Sequence, residues 1–318
     1  MDCIIVDGHE DIAMGLMEDE NWDFSAPATN GHALSLADAK RGGIGLILGT
    51  IFATRGYWKG VTPTSAAARQ MACYDNLLKT HARDLFRVES RGDLLLCQTG
   101  GPIGLLHLME GADPIRSPRD VKRWVNRGVR VVGPAWNTGN RYCGGWTDAE
   151  ALSEDGRALI EQLREHRAIV DVSHLKPEAF DDVFALDDEL IVASHSNAHA
   201  VHPHRRNLTD DQIQRIAARD GLVGIVLFNP FLGKGRVDLE TVLAHIDHMV
   251  GLVGPDHVGF GSDLDGGFPP SRAPEGIDSV ADLRRIGDGL SARGYEQNAV
   301  EKILGGNWIR VLRRTLPE

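Results

Sequence analysis

Short apolar runs alternate with longer stretches of helical periodicity along all 318 residues of the chain. Each run is compact and apolar enough for a strand that is covered on both faces, as the strands of a parallel sheet are. Eight such runs predict eight strands, at Ile4–Val6, Ile44–Phe52, Ile103–Leu108, Val129–Val132, Ile169–Val172, Leu190–Ala193, Leu222–Phe228 and Val258–Phe260.

The segments between these runs carry signals of helices. Thr209 stands three residues before Gln212, which is the spacing of a capping box at the start of a helix. Apolar residues recur at helical spacing over 242–253. Ser153 is positioned to cap another helix, and residues 118–126 carry a weaker helical pattern. The chain is therefore predicted to alternate strands with helices.

This alternation predicts an α/β fold, and eight strands predict a closed (β/α)8 barrel of the TIM type. An open doubly wound sheet is the alternative, although no Gly-x-Gly-x-x-Gly follows an early strand. No long linker interrupts the sequence, so residues 1–318 are predicted to form a single domain. Irregular loops at Phe24–His32, Thr54–Pro63 and Phe268–Asp278 follow strands and are expected to lie over the active face of the barrel.

The composition narrows the expected partners. The 45 acidic and 34 basic residues give a formal charge of −11, which disfavours non-specific binding to nucleic acids or anionic membranes. No secretory signal is predicted at the first residues, and no stretch approaches the roughly 18 apolar residues of a membrane span. Four scattered cysteines without a Cys-x-x-Cys pair are typical of a cytoplasmic protein with reduced thiols.

Acidic or imidazole side chains follow five of the predicted strands. In a barrel of this type the carboxyl ends of the strands converge on one mouth, so residues far apart in sequence are expected to meet there. The acidic and imidazole side chains at these ends are His9, Asp11, Glu110, His174, His195 and Asp263.

This residue set predicts a metal site. His9 and Asp11 are two apart on an extended segment, so both side chains point to one side, roughly 7 Å apart, while Glu10 should point away. Imidazole and carboxylate are ordinary zinc ligands, and manganese or iron would tolerate a similar set. A carboxylate that offers both oxygens can bridge two metals and so help to lower the pKa of a shared water. Asp263 is a candidate to accept and return a proton.

Several segments, taken together and in this order, resemble one known family. The chain is similar to the membrane (renal) dipeptidases, peptidase family M19, among the amidohydrolase-like barrels, from Val6 to about Leu312. The matching segments are Asp7-Gly8-His9-Glu10-Asp11, Glu110-Gly111, Asp171-Val172-Ser173-His174, Ser194-His195-Ser196, Arg205-Arg206-Asn207-Leu208-Thr209-Asp210-Asp211, Gly259-Phe260-Gly261-Ser262-Asp263-Leu264-Asp265-Gly266 and Gly306-Asn307-Trp308-Ile309-Arg310-Val311.

The resemblance implies two zinc ions (Zn2+) per chain. It implies that His9 and Asp11 hold the first ion and that Glu110 bridges the two. His174 and His195 would hold the second ion.

The resemblance also implies roles beside the metals. Asp263 matches the family's proton-handling aspartate, and Arg206 matches the arginine that meets the substrate carboxylate. A guanidinium pairs with a carboxylate in a bidentate fork, which explains how an acidic protein binds an anion. From Arg205-Arg206 alone, a surface salt bridge would be the simpler interpretation.

One position departs from the family pattern. The family usually has Thr-His-Asn after the fourth strand, where this chain has Pro134-Ala135-Trp136-Asn137. Indole donates one hydrogen bond but carries no positive charge, and losing one oxyanion-stabilising donor costs about 10²–10³ in rate. Either dipeptide hydrolysis is weak or the substrate differs. Trp136 is expected to narrow the pocket or stack on a substrate ring, with a buried structural role as the alternative.

Three functions are consistent with the sequence. The leading hypothesis is a binuclear zinc metallodipeptidase in which a metal-bridging hydroxide attacks the amide of a dipeptide. The second is an amidohydrolase for another small amide or ester, such as an N-acyl amino acid, because of Trp136. The third is a barrel that binds metal or a small ligand without turnover. The expected partner is a small molecule, and the resemblance implies self-association, with a homodimer as the expected state.

Other polar residues near the strand ends are assigned supporting roles. Asp265 is expected to order a loop, and Asp171 to orient a ligand or to bury a hydrogen bond. Asn137 and Asn140 are candidates for substrate contact. His107 is expected in the core or behind the ligands. The remaining histidines of interest are assigned to a loop, namely His199, His202 and His204.

Overall fold

The structure is a computed structural model that describes residues 3–29, 31–147, 151–186 and 189–318. Within these residues nine strands form one parallel sheet. The strands are β1 (Ile5–Glu10), β2 (Ile44–Phe52), β3 (Leu85–Arg87), β4 (Ile103–Glu110), β5 (Val129–Val132), β6 (Ile169–Asp171), β7 (Ile191–Val192), β8 (Val223–Ile225) and β9 (Val258–Phe260).

Eight of these strands close into the predicted barrel. Their order is β7-β6-β5-β4-β2-β1-β9-β8, and β3 pairs with β4 outside this path. A parallel bridge between Ala193 and Val223 joins the two ends of the path. The Ala193 amide donates to the Leu222 carbonyl at 3.0 Å, and the Gly224 amide donates to the Ala193 carbonyl at 2.8 Å. The (β/α)8 prediction is therefore confirmed, and the open sheet is excluded.

Some strands begin or end at other residues than predicted. β1 and β4 continue through Glu10 and Glu110, because these polar residues still pair with the neighbouring strand β2, at Gly49 and Phe52. The run predicted at 222–228 is shorter, because the Asn197 side chain pairs with both backbone groups of Val226, at 2.9 and 3.3 Å. The three-residue β3 was not predicted, since so short a run carries no periodic signal.

The helices surround the sheet and connect its parallel strands. They are α1 (Ile12–Glu18), α2 (Leu36–Gly42), α3 (Pro63–Thr80), α4 (Arg91–Cys97), α5 (Val121–Val125), α6 (Glu154–Glu165), α7 (Pro177–Leu186), α8 (Asp210–Ala218), α9 (Asn229–Leu232), α10 (Leu239–Val253), α11 (Arg284–Ala292), α12 (Gln297–Glu301) and α13 (Asn307–Leu312). Short 3₁₀ turns lie at Pro118–Asp120, Pro255–His257, Pro270–Arg272 and Val280–Leu283, and Lys302–Gly306 is a π-helical turn.

The predicted helix starts are confirmed by their hydrogen bonds. The Thr209 hydroxyl accepts from the Gln212 amide at 3.3 Å, and the Gln212 side chain accepts from the Thr209 amide at 3.0 Å, which completes the capping box of α8. The Ser153 hydroxyl accepts from the Gly156 amide at 2.9 Å and caps α6. Across the described residues no helix combines the length and apolarity that a membrane crossing requires.

The barrel interior is packed rather than hollow, and α13 seals one end of it. Inward side chains of the strands form a buried cluster with Trp308, Val311 and Leu312 of α13. The Trp308 indole donates to the Phe260 carbonyl at 2.6 Å. Its ring lies against Gly8, the residue before His9, where no side chain would fit. Packing at this end therefore fixes the backbone from which the β1 polar residues extend.

We expect Gly8→Ala to lower the free energy of unfolding by about 1–3 kcal/mol, the usual cost of overpacking. A Cβ at Gly8 would collide with the Trp308 ring and approach the Phe260 carbonyl to 2.7 Å. Urea unfolding measures the change. Gly251→Ala in α10 is the control, because a Cβ there meets no atom within 4 Å and should leave stability equal or higher. Equal stability of Gly8→Ala and the natural chain would contradict this packing.

Candidate metal centre

The five side chains predicted as metal ligands meet at the carboxyl ends of the barrel strands. A carboxylate oxygen of Glu110 lies 2.8 Å from Nε2 of His174, 3.3 Å from Nε2 of His195 and 3.6 Å from Nε2 of His9. The Nε2 atoms of His174 and His195 are 2.8 Å apart. One carboxylate oxygen of Glu110 thus lies within 3.6 Å of the Nε2 atoms of all three histidines.

The donors form two adjacent groups. Glu110, His174 and His195 make up one group, and His9, Asp11 and Asp263 make up the other; in each, the ligand atoms lie within 4.8 Å of one another. A third set at the same spacing, His9, Asp171 and His195, overlaps both, but its carboxylate Asp171 already accepts from the amide and the hydroxyl of Ser194. In the second group His9 Nε2 is 3.7 Å from a carboxylate oxygen of Asp11. Asp263, predicted to handle a proton, therefore lies beside the first predicted ion as well.

One serine orients two of the histidines. The Ser194 hydroxyl donates to the buried carboxylate of Asp171, which leaves its oxygen to accept from the rings. Nδ1 of His195 lies 2.8 Å from this oxygen, and Nδ1 of His9 lies 3.3 Å from it. A proton on Nδ1 of each ring can donate to this oxygen, and this contact turns each Nε2 atom toward the donor cluster. Asp171 thus orients the ligands, one of its two expected roles.

His174 is oriented in the same way by a different residue. Its Nδ1 lies 2.7 Å from the side-chain oxygen of Asn137. This oxygen accepts a hydrogen bond from Nδ1, which leaves Nε2 free for a metal. The Trp146 indole donates to the same oxygen and holds the amide in place. Asn137 was expected to contact substrate; it also lines the cavity, so both roles are open to it.

The charges of the site require a cation. Burial lowers the pKa of His9, but Glu110 and Asp11 outweigh this effect and raise it to about 10. Burial also raises the pKa of Glu110 and brings the pKa of Asp263 to about 7, with Asp11 adding to both shifts. Without another cation, the carboxylates must retain protons or hold a charged His9. A divalent metal would release those protons.

The other two histidines are poised as neutral ligands. Burial, followed by the charges of His9 and Arg206, holds the pKa of His174 and His195 well below the ordinary value. Neutral imidazole is the form that binds metals. Two buried polar atoms, Nε2 of His9 and Oδ1 of Asp11, have no hydrogen-bond partner among the described residues. Unpartnered donor atoms aimed at a cluster of this composition fit a metal ion.

The backbone that carries Asp263 is shaped for this position. Asp263 has a left-handed backbone with φ of 59°, and its amide donates to the His9 carbonyl at 3.1 Å. A Cβ at Gly266 would collide with the Asp263 carboxylate, so this turn requires glycine. The prediction that Asp265 orders a loop is confirmed, because it accepts from the amides of Ala33 and Leu34 at 3.0 and 2.9 Å.

Glu10 points away from the cluster, as predicted. The Ser262 hydroxyl lies 2.6 Å from both Glu10 and Asp7, and it can donate to only one of them. The other carboxyl must therefore be protonated, which agrees with the pKa of both groups being raised by burial. This pair, which shares one proton, holds β1 against the loop after β9.

A cavity of about 320 Å³ opens onto the metal donors. Besides those donors, its walls are mainly aromatic. The loop after β2 supplies Tyr57 and the loop after β9 supplies Phe268, as expected for loops over the active face. The side chains on the cavity wall other than the metal donors are Met14, Phe52, Tyr57, Trp136, Asn137, Phe228, Phe231, Phe268 and Arg272.

Trp136 lies in the cavity wall rather than in the core. Its ring is partly exposed and lies 4.9 Å from the ring of Phe52 and 6.2 Å from that of His174. The interpretation of Trp136 as a buried structural residue is therefore wrong, and the residue narrows the pocket beside a metal donor.

Arg206 is buried behind His195 rather than at the surface. Its two terminal nitrogens donate to the Ser196 hydroxyl and the His195 carbonyl, both at 2.8 Å, and its Nε has no partner among the described residues. Burial lowers its pKa to about 10, at which it remains charged at neutral pH. A surface salt bridge, the simpler interpretation of Arg206, is excluded.

A closed α/β barrel with buried imidazole and carboxylate donors at one mouth defines a metal-dependent hydrolase. The family model of the membrane dipeptidases (peptidase family M19) matches residues 1–316. The chain belongs to this family, whose members are metal-dependent dipeptidases.

The chain is also similar to individual proteins. An uncharacterized protein encoded in the pqqA 5′ region of Klebsiella pneumoniae is 35% identical over 265 residues, covering 79% of this chain and 96% of the relative. Dipeptidase tcpJ of Claviceps purpurea is 29% identical over 77% of this chain, which spans 59% of that protein.

Solved structures of the family superpose on nearly the whole chain. A metallopeptidase from Rhodobacter sphaeroides, liganded with a phosphinate mimic of the dipeptide L-Ala-D-Ala, has a TM-score of 0.88 and 28% identity, covering 98% of this chain and 99% of that one. The M19 dipeptidase AC has the same TM-score and identity, with complete coverage of both chains.

The sequence analysis missed three contributions to the site. Ser194 directly precedes His195, so its position in the sequence indicated a place near the ligands. The contact of Ser194 with His9, however, depends on the closed barrel. The role of Asn137 in orienting His174 had no signal beyond its position after a strand. Arg272 lies in a loop that was predicted to cover the mouth, but nothing in the sequence placed its side chain in the cavity.

We expect Ser194→Ala to weaken metal affinity about 10–100-fold, because two histidines lose the group that fixes their tautomer. Competition with a chelator measures the affinity, and thermal unfolding verifies the fold. Ser291→Ala is the matched control, since that hydroxyl donates to Gly287 within a helix, away from the site. Unchanged affinity in Ser194→Ala would show that Ser194 does not orient the ligands.

Proposed function

We propose that the chain is a binuclear zinc dipeptidase that hydrolyses the amide bond of small dipeptides. The observation that carries this proposal is the pair of adjacent donor groups joined through Glu110. A single-ion site would not need a carboxylate within reach of three histidines. His9 and Asp11 would hold one ion, His174 and His195 the other, and Glu110 would bridge them.

When bound, two zinc ions supply a water that ionises near neutral pH and a Lewis acid for the substrate carbonyl. The side chains of the protein supply the rest. Ser194 and Asn137 hold the three rings with their Nε2 atoms toward the ions. The cavity walls exclude bulk water, so charges at the reacting carbonyl are weakly screened.

Asp263 would handle the proton. Its carboxylate lines the cavity next to His9 and Asp11, and burial places its pKa at about 7, close to the value at which a group both accepts and returns a proton. The proton taken from the attacking water would pass through Asp263 to the nitrogen of the leaving amine.

Arg206 would attract the terminal carboxylate of the substrate through its charge. Its side chain lies behind His195 and outside the cavity wall, its terminal nitrogens donate to Ser196 and His195, and only its Nε is without a partner among the described residues. The cavity volume of about 320 Å³ suits a dipeptide rather than a longer peptide. The dipeptide mimic held by the Rhodobacter sphaeroides relative supports the same substrate size.

Trp136 supports a second candidate function. It replaces the histidine usual in the family and occupies cavity wall beside His174, so a substrate other than a dipeptide would fit. An N-acyl amino acid or another small amide would use the same metal donors and the same proton path.

The cellular setting stays a prediction. The four cysteines form no disulfide among the described residues, which supports a reducing compartment such as the cytoplasm. The homodimer stays a prediction as well.

We expect the purified protein to hold two zinc ions per chain and to hydrolyse dipeptides from a panel that includes D-residues at the C-terminal position. Asp263→Asn should lower kcat about 10²–10⁴-fold, because the leaving amine loses its proton donor. Elemental analysis of each variant separates lost zinc from lost proton transfer. Exposed Asp288→Asn serves as the control.

Fewer than one metal per chain after gentle purification in zinc would favour the non-catalytic barrel. Full zinc loading without turnover of any dipeptide would contradict the dipeptidase.

We expect Trp136→His to raise kcat/KM for dipeptides by up to about 10²-fold, because imidazole restores a donor at the substrate carbonyl. Steady-state kinetics on the same panel measures the change. Tyr57→Phe, a second change in the cavity wall that adds no donor, is the control. No gain in Trp136→His would favour the altered-substrate function.

A further inference from the structure

The cavity contains one cationic side chain that the proposed mechanism does not use. Among the described residues that line it, Arg272 alone carries a positive charge at neutral pH, since His174 and His195 are neutral. The charges of Asp11, Glu110 and Asp263 face the metal positions. Arg272 therefore adds a positive charge to the cavity wall away from the side chains that face the metal positions.

Arg272 is held in place through its loop and through an aromatic ring. Its amide donates to the Pro269 carbonyl at 2.9 Å, closing the short 3₁₀ turn. The next residue is fixed by Asn229, whose side chain donates to the Ala273 carbonyl at 3.0 Å. The guanidinium lies 4.9 Å from the centre of the Phe228 ring. Stacking of this kind orients the planar fork without using its N–H groups.

The fork of Arg272 has no acidic partner within the described part of the chain. Among the described residues, its guanidinium lies over the ring of Phe228. Two other arginines, Arg205 and Arg206, have different partners. Arg206 donates to Ser196 and His195, and Arg205 lies over the ring of Trp146. An exposed, oriented guanidinium on the wall of a binding cavity is suited to a carboxylate from the ligand.

We infer that Arg272 binds a second carboxylate of the substrate, so that the preferred substrates are dipeptides with an aspartyl or glutamyl side chain. This inference rests on the proposed dipeptidase function and extends it to a substrate class. The aliphatic part of the acidic side chain packs against Phe228 and Phe268, and its carboxylate meets the fork of Arg272. A lysyl or arginyl side chain at the same place is repelled.

The experiment compares acid and amide pairs that differ by one group. Kinetics are measured on zinc-loaded protein with Asp-Ala against Asn-Ala, and with Ala-Asp against Ala-Asn in both stereoisomers of the second residue. We expect kcat/KM to favour the acid about tenfold in at least one pair, mainly through KM, as for a partly exposed charge-assisted contact. Raising the salt concentration should reduce this preference.

Arg272→Gln should lower kcat/KM for the acid substrates much more than for Ala-Ala and so abolish the acid preference. Arg272→Lys should keep only part of the preference, because lysine lacks the planar fork. Arg123→Gln is the matched control, since Arg123 is also exposed and packs on a ring, 5.8 Å from Trp124, outside this cavity. It should keep the full preference.

Two outcomes overturn the inference. If the ratio of kcat/KM for acid over amide is equal in Arg272→Gln and the natural chain, Arg272 does not contact the second carboxylate. A uniform loss on all dipeptides, Ala-Ala included, assigns Arg272 to the terminal carboxylate instead. Failure of the dipeptidase function is recognised separately, as absence of turnover for every dipeptide. Calorimetric binding of Ala-Asp and Ala-Asn to zinc-loaded Asp263→Asn then still tests Arg272, and equal dissociation constants overturn the inference.

Discussion

The site depends on one electrostatic constraint: three carboxylates and three imidazoles share a space that excludes most water. Such a group is stable only if positive charge lies among the carboxylates. In the protein alone, His9 carries that charge, and its pKa of about 10 reflects the demand. His174 and His195 are neutral chiefly because burial lowers their pKa, and the charges of Arg206 and His9 lower it further. A divalent ion satisfies the demand more fully than a proton does.

The barrel holds the imidazole rings in place by hydrogen bonds on the side away from the donor cluster. Ser194 connects Asp171 to two rings, and Asn137 fixes the third, so each ligating nitrogen is set before a metal arrives. Packing supports these contacts from the opposite end of the barrel, where Trp308 lies against Gly8. The family assignment and the geometry therefore point to the same chemistry, from sequence similarity on one side and hydrogen bonding on the other.

The cavity walls carry the side chains that a substrate would contact. Trp136 presents an aromatic face beside His174. Phe228 carries the guanidinium of Arg272 on its ring. The metal donors set the reaction type, whereas these wall residues set which small amide enters. Selectivity between substrates comes from such contacts because the ions interact with every amide carbonyl in the same way.

The alternation of apolar runs and helical segments was sufficient to predict the barrel, because strand and helix periodicity are local properties. The identity of the metal donors followed from polar residues at strand ends and from the family resemblance. Only the tertiary structure decided that one Ser194 serves both His9 and His195, that Asn197 ends β8 early, and that Arg272 faces the cavity. These contacts join residues of different strands and loops, and their distances depend on barrel closure and side-chain packing, which leave no periodic trace in the sequence.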